Sequence, residues 1–189
     1  MKDLSKMPLE ELWKLFPIKL LPHDPKYKEY YEAEKAAILA VAGEENVSRI
    51  NHIGSSAVDG LLCKPTVDIL LEYSNAADHS KMAERLRESG WQLMSSEKNP
   101  AQYAMNKGYT PDGFADKVFH LHIRPRKDHG ELYFRDYLID HPETALEYAE
   151  LKRGLLSRFE YDRDGYTEAK TEFIETITAK ARKEYGAKY

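Results

Sequence analysis

The chain has 189 residues, of which 42% are hydrophobic and 32% are charged, and 28 lysines and arginines against 32 acids give a formal net charge of −4. This length suits about one domain, and a mean hydropathy of −0.66 without a run of about 18 apolar residues argues against a transmembrane helix. The net negative charge argues against duplex DNA or RNA binding driven by bulk charge, and the single cysteine, Cys63, excludes an internal disulfide. Since the first residues also lack the apolar segment of a secretory signal, we expect a cytoplasmic protein.

The hydrophobic pattern predicts a mixture of strands and helices up to about residue 124 and helices alone after that point. Asp24 and Pro25 are typical of an N-cap and a first helical turn, and Gly90 is typical of a helix end. The predicted elements are an arm over 1–17, helices over 24–43 and 75–90, strands over 47–53, 66–73, 91–94, 102–106 and 117–124, and helices over 131–140, 142–158 and 166–184. Because strands and helices do not alternate throughout, the pattern favours an α+β fold: a small mixed sheet with helices on one face and a C-terminal helical segment packed beside it.

The candidate site lies between the first two predicted strands. Gly54, Ser55 and Ser56 form a small, turn-prone run whose backbone N–H groups can face an anion. The next strand then brings a carboxylate, Asp68, back towards that turn. Phosphates at the turn and a divalent cation on the carboxylate would make a nucleoside triphosphate site, whereas the turn alone also fits an ordinary loop between strands.

The segment HIGSSAVDGLLCKPTVDI, residues 52–69, resembles the signature of the GrpB family, which belongs to the nucleotidyltransferase-fold superfamily. The resemblance spans roughly 18–181 and implies a single domain there, with a nucleotidyltransferase-like core over about 22–126 and a helical extension over about 130–187. The extension also resembles a segment fused to dephospho-CoA kinase in some bacteria. Further matches, in chain order, are His120–Ile123, Phe134–Leu138, His141-Pro142, Tyr148, Leu151-Lys152, Tyr166–Lys170 and Phe173-Ile174.

The resemblance implies nucleotidyl transfer, with the turn holding phosphates and with Asp68 and Lys64 as catalytic residues. Four cations could contact phosphate oxygens, although each also fits a surface ion pair: Lys64, Arg135, Lys152 and Lys170. Active members of the superfamily place two acids two residues apart on the strand, where this chain has Leu70 in the second position. Leu70 therefore favours the alternative of a non-catalytic nucleotide- or anion-binding module.

Two histidines suggest a third possibility, a metal-dependent enzyme. His120 and His122 are two residues apart on a predicted strand, so their side chains should share one face. With Asp68 they could form a site that suits a transition metal better than Mg²⁺; alternatively, one histidine hydrogen-bonds within the sheet and the other contacts the pocket. Asp116 could supply a further acid for a metal, or could be a solvated turn residue. The sequence thus predicts a nucleotide or other phosphorylated small molecule as ligand, with a divalent metal, Mg²⁺ or a transition metal, as a candidate cofactor.

Overall fold

The computed structural model describes residues 4–189, apart from the side chain of Ser5. The helices are α1 (Leu9–Leu15), α2 (Lys26–Ala42), α3 (His79–Glu88), α4 (Gly130–Asp140), α5 (Pro142–Phe159), α6 (Arg163–Glu168) and α7 (Thr171–Tyr185). The strands are β1 (Val47–Ile53), β2 (Val67–Tyr73), β3 (Gln92–Lys98), β4 (Ala101–Thr110) and β5 (Gly113–Pro125). None of the described helices is long and apolar enough to span a membrane.

The strands form one mixed sheet in the order β1-β2-β5-β4-β3, in which only the β2–β5 pair is parallel. β4 and β5 form an antiparallel hairpin, and the predicted mixed α+β character is confirmed. The β3 strand continues to Lys98, four residues beyond the predicted end, because it pairs with β4 along its length. The parallel pairing sets Asp68 beside His120 and Leu70 beside His122, so that the candidate residues of two distant segments become neighbours.

The two faces of the sheet have different partners. Alternate residues of β2, including Ile69 and Leu71, pack with α2 and α3 into the main core. On the opposite face, Leu70 packs with Ile53 and Leu132, and α4 covers this part of the sheet. β2 is thus buried on both faces, and its least buried residue is Asp68.

The C-terminal helices differ from the prediction of one helix over 166–184. The Asp162 side chain caps α6 by accepting a hydrogen bond from the Gly165 N–H at 2.9 Å, and the helix ends before α7 begins. The break leaves Lys170 in the junction between the two helices, and Tyr166 is only 1% exposed. Lys170 and Tyr166 lie near the turn that follows β1.

The N-terminal arm contains the helix that its apolar spacing predicts, although α1 buries none of its residues fully. The chain that follows α1 anchors the arm, because Phe16 and Ile18 are 4% and 5% exposed. Phe16 contacts the rings of Tyr109 and Phe114 at centroid distances of 4.9 and 5.0 Å. The first three residues of the predicted arm lie outside the described residues.

Candidate functional site

The turn after β1 brings the backbone against a carboxylate. Gly54 has a φ of +72°, and a Cβ built there would lie 2.5 Å from Asp68 Oδ2. Only glycine therefore combines this backbone conformation with so close an approach. The predicted juxtaposition of the turn and Asp68 is present in the structure.

Two backbone donors are free in this turn. A 3₁₀ turn over Ser55–Ala57 follows Gly54, with the Ala57 N–H donating to the Gly54 carbonyl at 3.2 Å. Among residues 4–189, no acceptor is found for the N–H groups of Ser55 and Ser56. Two consecutive free N–H groups form a small concave donor site that suits an anion.

Asp68 belongs to a chain of hydrogen bonds that crosses the sheet. Its Oδ1 lies 2.9 Å from His120 Nδ1, and His120 Nε2 lies 2.8 Å from the Tyr109 hydroxyl, which accepts a bond from Arg163 Nη2 at 2.9 Å. Burial alone would raise the pKa of Asp68, but the hydrogen bond and charge of His120, together with Lys64, hold it well below its ordinary value. Asp68 is therefore an ionised carboxylate with a fixed partner.

Tyr109 reaches His120 because of a β-bulge. The register of the β4–β5 pair shifts between Lys107 and Tyr109. Gly108 lies in the bulge with a φ of +93°, and a Cβ built there would lie 2.2 Å from the Lys117 carbonyl oxygen. The extra residue moves Tyr109 to the face of His120, whereas Lys107 points to the other face. Sequence reasoning missed Tyr109; a glycine within a strand pattern is the signal that could have indicated the bulge.

The predicted metal ligands lie on neighbouring strands but do not form a three-ligand group within the described residues. Both ring nitrogens of His120 are engaged, with Asp68 and with Tyr109, and the His122 ring lies beside Leu70 without a hydrogen-bond partner among the described residues. Within residues 4–189, no group of three or more His, Cys, Asp or Glu side chains could hold a metal ion. The structure thus does not assemble the three-ligand site predicted from Asp68, His120 and His122.

The donor set also does not fit the pair of divalent ions that the superfamily resemblance implies. Leu70 has 0% exposure and belongs to the apolar cluster behind the site. Asp116 is exposed and lies four residues before His120 on β5, about 13 Å along the strand. Neither position therefore gives Asp68 a second carboxylate with which to share metal ions.

Lys152 holds the turn from the side of α5. Its Nζ donates to Ser55 Oγ at 3.0 Å and to the Leu62 carbonyl, and it lies 4.4 Å from the Tyr148 ring centroid. The side chain is almost fully buried. Burial, reinforced by the charges of two other lysines, lowers the pKa of Lys152 to about 7.

Those two lysines are Lys64, which precedes β2, and Lys170, at the junction of α6 and α7. Burial and the charge of Lys64 lower the pKa of Lys170 to about 8, while Asp68 opposes the shift. Burial and Arg163 lower the pKa of Lys64, again against the attraction of Asp68. Lys64 and Arg163 line the same small cavity of about 20 Å³. The region thus collects more positive charge than the Asp68 carboxylate balances.

A buried hydroxyl group also lacks a partner here. Tyr166 is 1% exposed, and its hydroxyl has no hydrogen-bond partner among the described residues. Lys170 Nζ lies 4.6 Å from the Tyr166 ring centroid. Tyr166 therefore lies beside the lysine cluster, with an unsatisfied polar group.

Arg135 does not join this cluster. Its guanidinium donates to the His52 carbonyl at 2.9 Å, to the Tyr189 hydroxyl at 3.1 Å and to Asp136. These bonds tie α4 to β1 and to the C-terminal residues, so the structure gives Arg135 a bridging position. Arg163 lies beside the lysines instead. In the sequence it is flanked by two acids, Asp162 and Asp164, and so it resembles a surface residue.

Comparison with known proteins places these features in a family. The family model described as GrpB protein matches residues 17–180. The chain is 34% identical over 165 residues to the UPF0157 protein PA4798 of Pseudomonas aeruginosa, covering 87% of this chain and 67% of that protein. It is 30% identical over 162 residues to the glutamate-rich protein GrpB of Alkalihalophilus pseudofirmus, covering 84% and 92%.

A solved structure resembles the fold described above. The crystal structure of the conserved protein GrpB from Enterococcus faecalis superposes with a TM-score of 0.76 at 26% sequence identity. The match covers 88% of this chain and 99% of that chain. The similarity thus extends through the sheet and the C-terminal helices.

Proposed function

The chain belongs to the GrpB family, and from that premise we propose that it binds the phosphoryl group of a nucleotide or of another phosphorylated small molecule at the turn after β1. The observation that carries this proposal is the gathering of Lys64, Lys152, Lys170 and Arg163 around one carboxylate that already has a partner. Lys152 is buried and the other three cations are partly buried, and such a set of like charges is costly unless an anion compensates it.

The lysines divide into two roles in this proposal. Lys152 is occupied by Ser55 Oγ and by the Leu62 carbonyl, and so it holds the turn in position. The ammonium groups of Lys64 and Lys170 have no hydrogen-bond partner among the described residues, so they are the donors for phosphoryl oxygens in this proposal. The free N–H groups of Ser55 and Ser56 would add two neutral donors beside them.

Binding, rather than nucleotidyl transfer, is the function we propose. Transfer in this superfamily uses two acids on β2 to hold metal ions, and the second position is occupied by Leu70, which is buried in an apolar cluster. The positive charge beside the turn instead comes from side chains. Lysine and arginine side chains bind phosphate oxygens directly, lysine as a point charge and arginine as a fork.

The test is calorimetric titration of the purified chain with ATP, AMP, inorganic triphosphate and inorganic phosphate, each in EDTA and in Mg²⁺. We expect saturable binding in EDTA that Lys170→Met weakens about 10- to 100-fold, since one charge-assisted hydrogen bond is lost. Lys180→Met is the matched control, because Lys180 is an exposed lysine on α7. Equal binding of ATP and triphosphate would assign recognition to the phosphates, and preference for ATP would identify a nucleotide site.

Two results would contradict the proposal. One is the absence of binding to all four compounds at millimolar concentration. The other is identical affinity of the Lys170→Met and Lys180→Met variants for these compounds. That result would show that the lysine cluster does not bind the anion. If the protein releases pyrophosphate from ATP, and if this release depends on Asp68 and Mg²⁺, the function is nucleotidyl transfer and not binding alone.

A further inference from the structure

A second, larger cavity adjoins the lysine cluster. It is a half-open cleft of about 840 Å³ between the N-terminal arm and the face of β3, β4 and β5 that carries His120 and His122. Small-molecule sites in proteins have volumes of about 300–1,000 Å³, so this cleft is large enough for a complete ligand. Its lining residues come from the arm, the sheet and the start of α6.

The lining of the cleft is apolar at one end and polar at the other. The arm contributes Leu12 and Trp13, and the edge strand β3 contributes Leu93 and Met94, which are 40% and 59% exposed. Of the described residues that line the cleft, only Arg163 and Asp164 carry a full charge when histidine is neutral, and both lie at the start of α6. The cleft is therefore suited to a ligand with an apolar body and one charged end.

The charged end of the cleft meets the proposed phosphoryl site. Arg163 lines the cleft and also the small cavity that contains Lys64. The same guanidinium donates to the Tyr109 hydroxyl, which contacts His120, and both of these residues line the cleft. Arg163 therefore belongs to the lining of both cavities.

We propose that the cleft holds the apolar body of an alkyl or aryl phosphate ester whose phosphoryl group occupies the lysine cluster. This inference rests on the proposed function, because it uses the lysines to fix the charged end. The exposed side chains of Leu93 and Met94 would leave water on binding, which supplies a hydrophobic driving force. The arm, through Leu12 and Trp13, is then the specificity element of the site.

The test is the affinity of a series of straight-chain alkyl phosphates, from methyl to hexyl phosphate. Each methylene buried in the cleft should tighten binding about fourfold. Leu93→Gln/Met94→Gln should reduce this gain to less than about twofold per methylene, with methyl phosphate affinity unchanged, because neither substitution alters charge. Leu146→Gln is the control: Leu146 is 69% exposed on α5 and does not line the cleft. Quenching of Trp13 fluorescence gives a second readout, which Trp13→Phe should remove.

The outcomes separate this inference from the proposed function. If methyl phosphate and inorganic phosphate do not bind, the proposed function fails. If they bind and the chain length has no effect, or has the same effect in the Leu93→Gln/Met94→Gln variant, the phosphoryl site stands and the cleft inference is overturned. Should the double variant fail to fold, Ala104→Phe, which places a ring in the cleft from β4, should weaken hexyl phosphate binding and spare methyl phosphate.

Discussion

Lys152→Met should change the pH dependence of stability in a defined direction. The folded pKa of Lys152 is about 7, against an ordinary value of 10.5. Between these two values the unfolded chain binds a proton that the folded chain does not, so stability rises with pH. Below pH 7 both states are protonated, and the folded state carries the full cost of a buried charge. The wild-type chain should therefore gain stability relative to the variant as pH rises from 6.5 to 8.5.

The linkage relation gives the size of that gain. Over this range, a lysine with these two pKa values contributes about 2 kcal/mol to the difference in unfolding free energy between wild type and variant. Urea unfolding of both proteins at pH 6.5, 7.5 and 8.5 measures it, and taking the difference cancels the titration of groups that do not interact with Lys152. Lys180→Met, an exposed substitution, should give a flat difference. A flat difference for Lys152→Met as well would show that Lys152 keeps its ordinary pKa, and the account of the cluster would be refuted.

Two further predictions follow from the same geometry. Gly54→Ala should destabilise the fold by about 1–3 kcal/mol more than Gly60→Ala in urea unfolding, because both glycines have positive φ but only at Gly54 would a Cβ meet Asp68; equal losses would show that the approach to Asp68 is relaxed. Binding of inorganic triphosphate at pH 7.5 should take up protons, since an anion favours the charged forms of Lys152 and Lys170, whose pKa values lie near 7 and 8. Titrations in buffers of different ionisation enthalpy measure this uptake, and proton release would contradict it.

The sequence predicts those parts of the site that local pattern determines. The turn at Gly54 and the strand with Asp68 follow from a contiguous motif, and the shared face of His120 and His122 follows from the two-residue period of a strand. The position of Arg135 could not be predicted in this way. Arg135 lies within a matched motif, but its hydrogen bonds to the His52 carbonyl and to Asp136 depend on how α4 packs against the sheet.

The residues that the sequence analysis missed depend on breaks in regular structure. Tyr109 faces His120 because the bulge at Gly108 moves the Tyr109 side chain to the other face of the sheet. A strict two-residue alternation along β4 would place Tyr109 on the wrong face. Arg163 reaches Tyr109 because the C-terminal segment divides into α6 and α7 rather than continuing as one helix. The Asp162 side chain caps α6, which begins three residues before the start of the predicted helix over 166–184, and this places Arg163 in the first turn of α6.

Leucine at position 70, where the superfamily resemblance implies an acid, and the gathering of lysines are parts of one electrostatic arrangement. In a two-metal site, acids on the strand hold cations, and the cations in turn neutralise the phosphates. With Leu70 buried in an apolar cluster, that strand position supplies no acid, and the acid that attracts both Lys64 and Lys170 is Asp68. A second carboxylate at position 70 would neutralise these cations, so leucine at that position keeps the cluster electropositive. The same change that weakens the case for nucleotidyl transfer thus strengthens the case for direct binding of an anion.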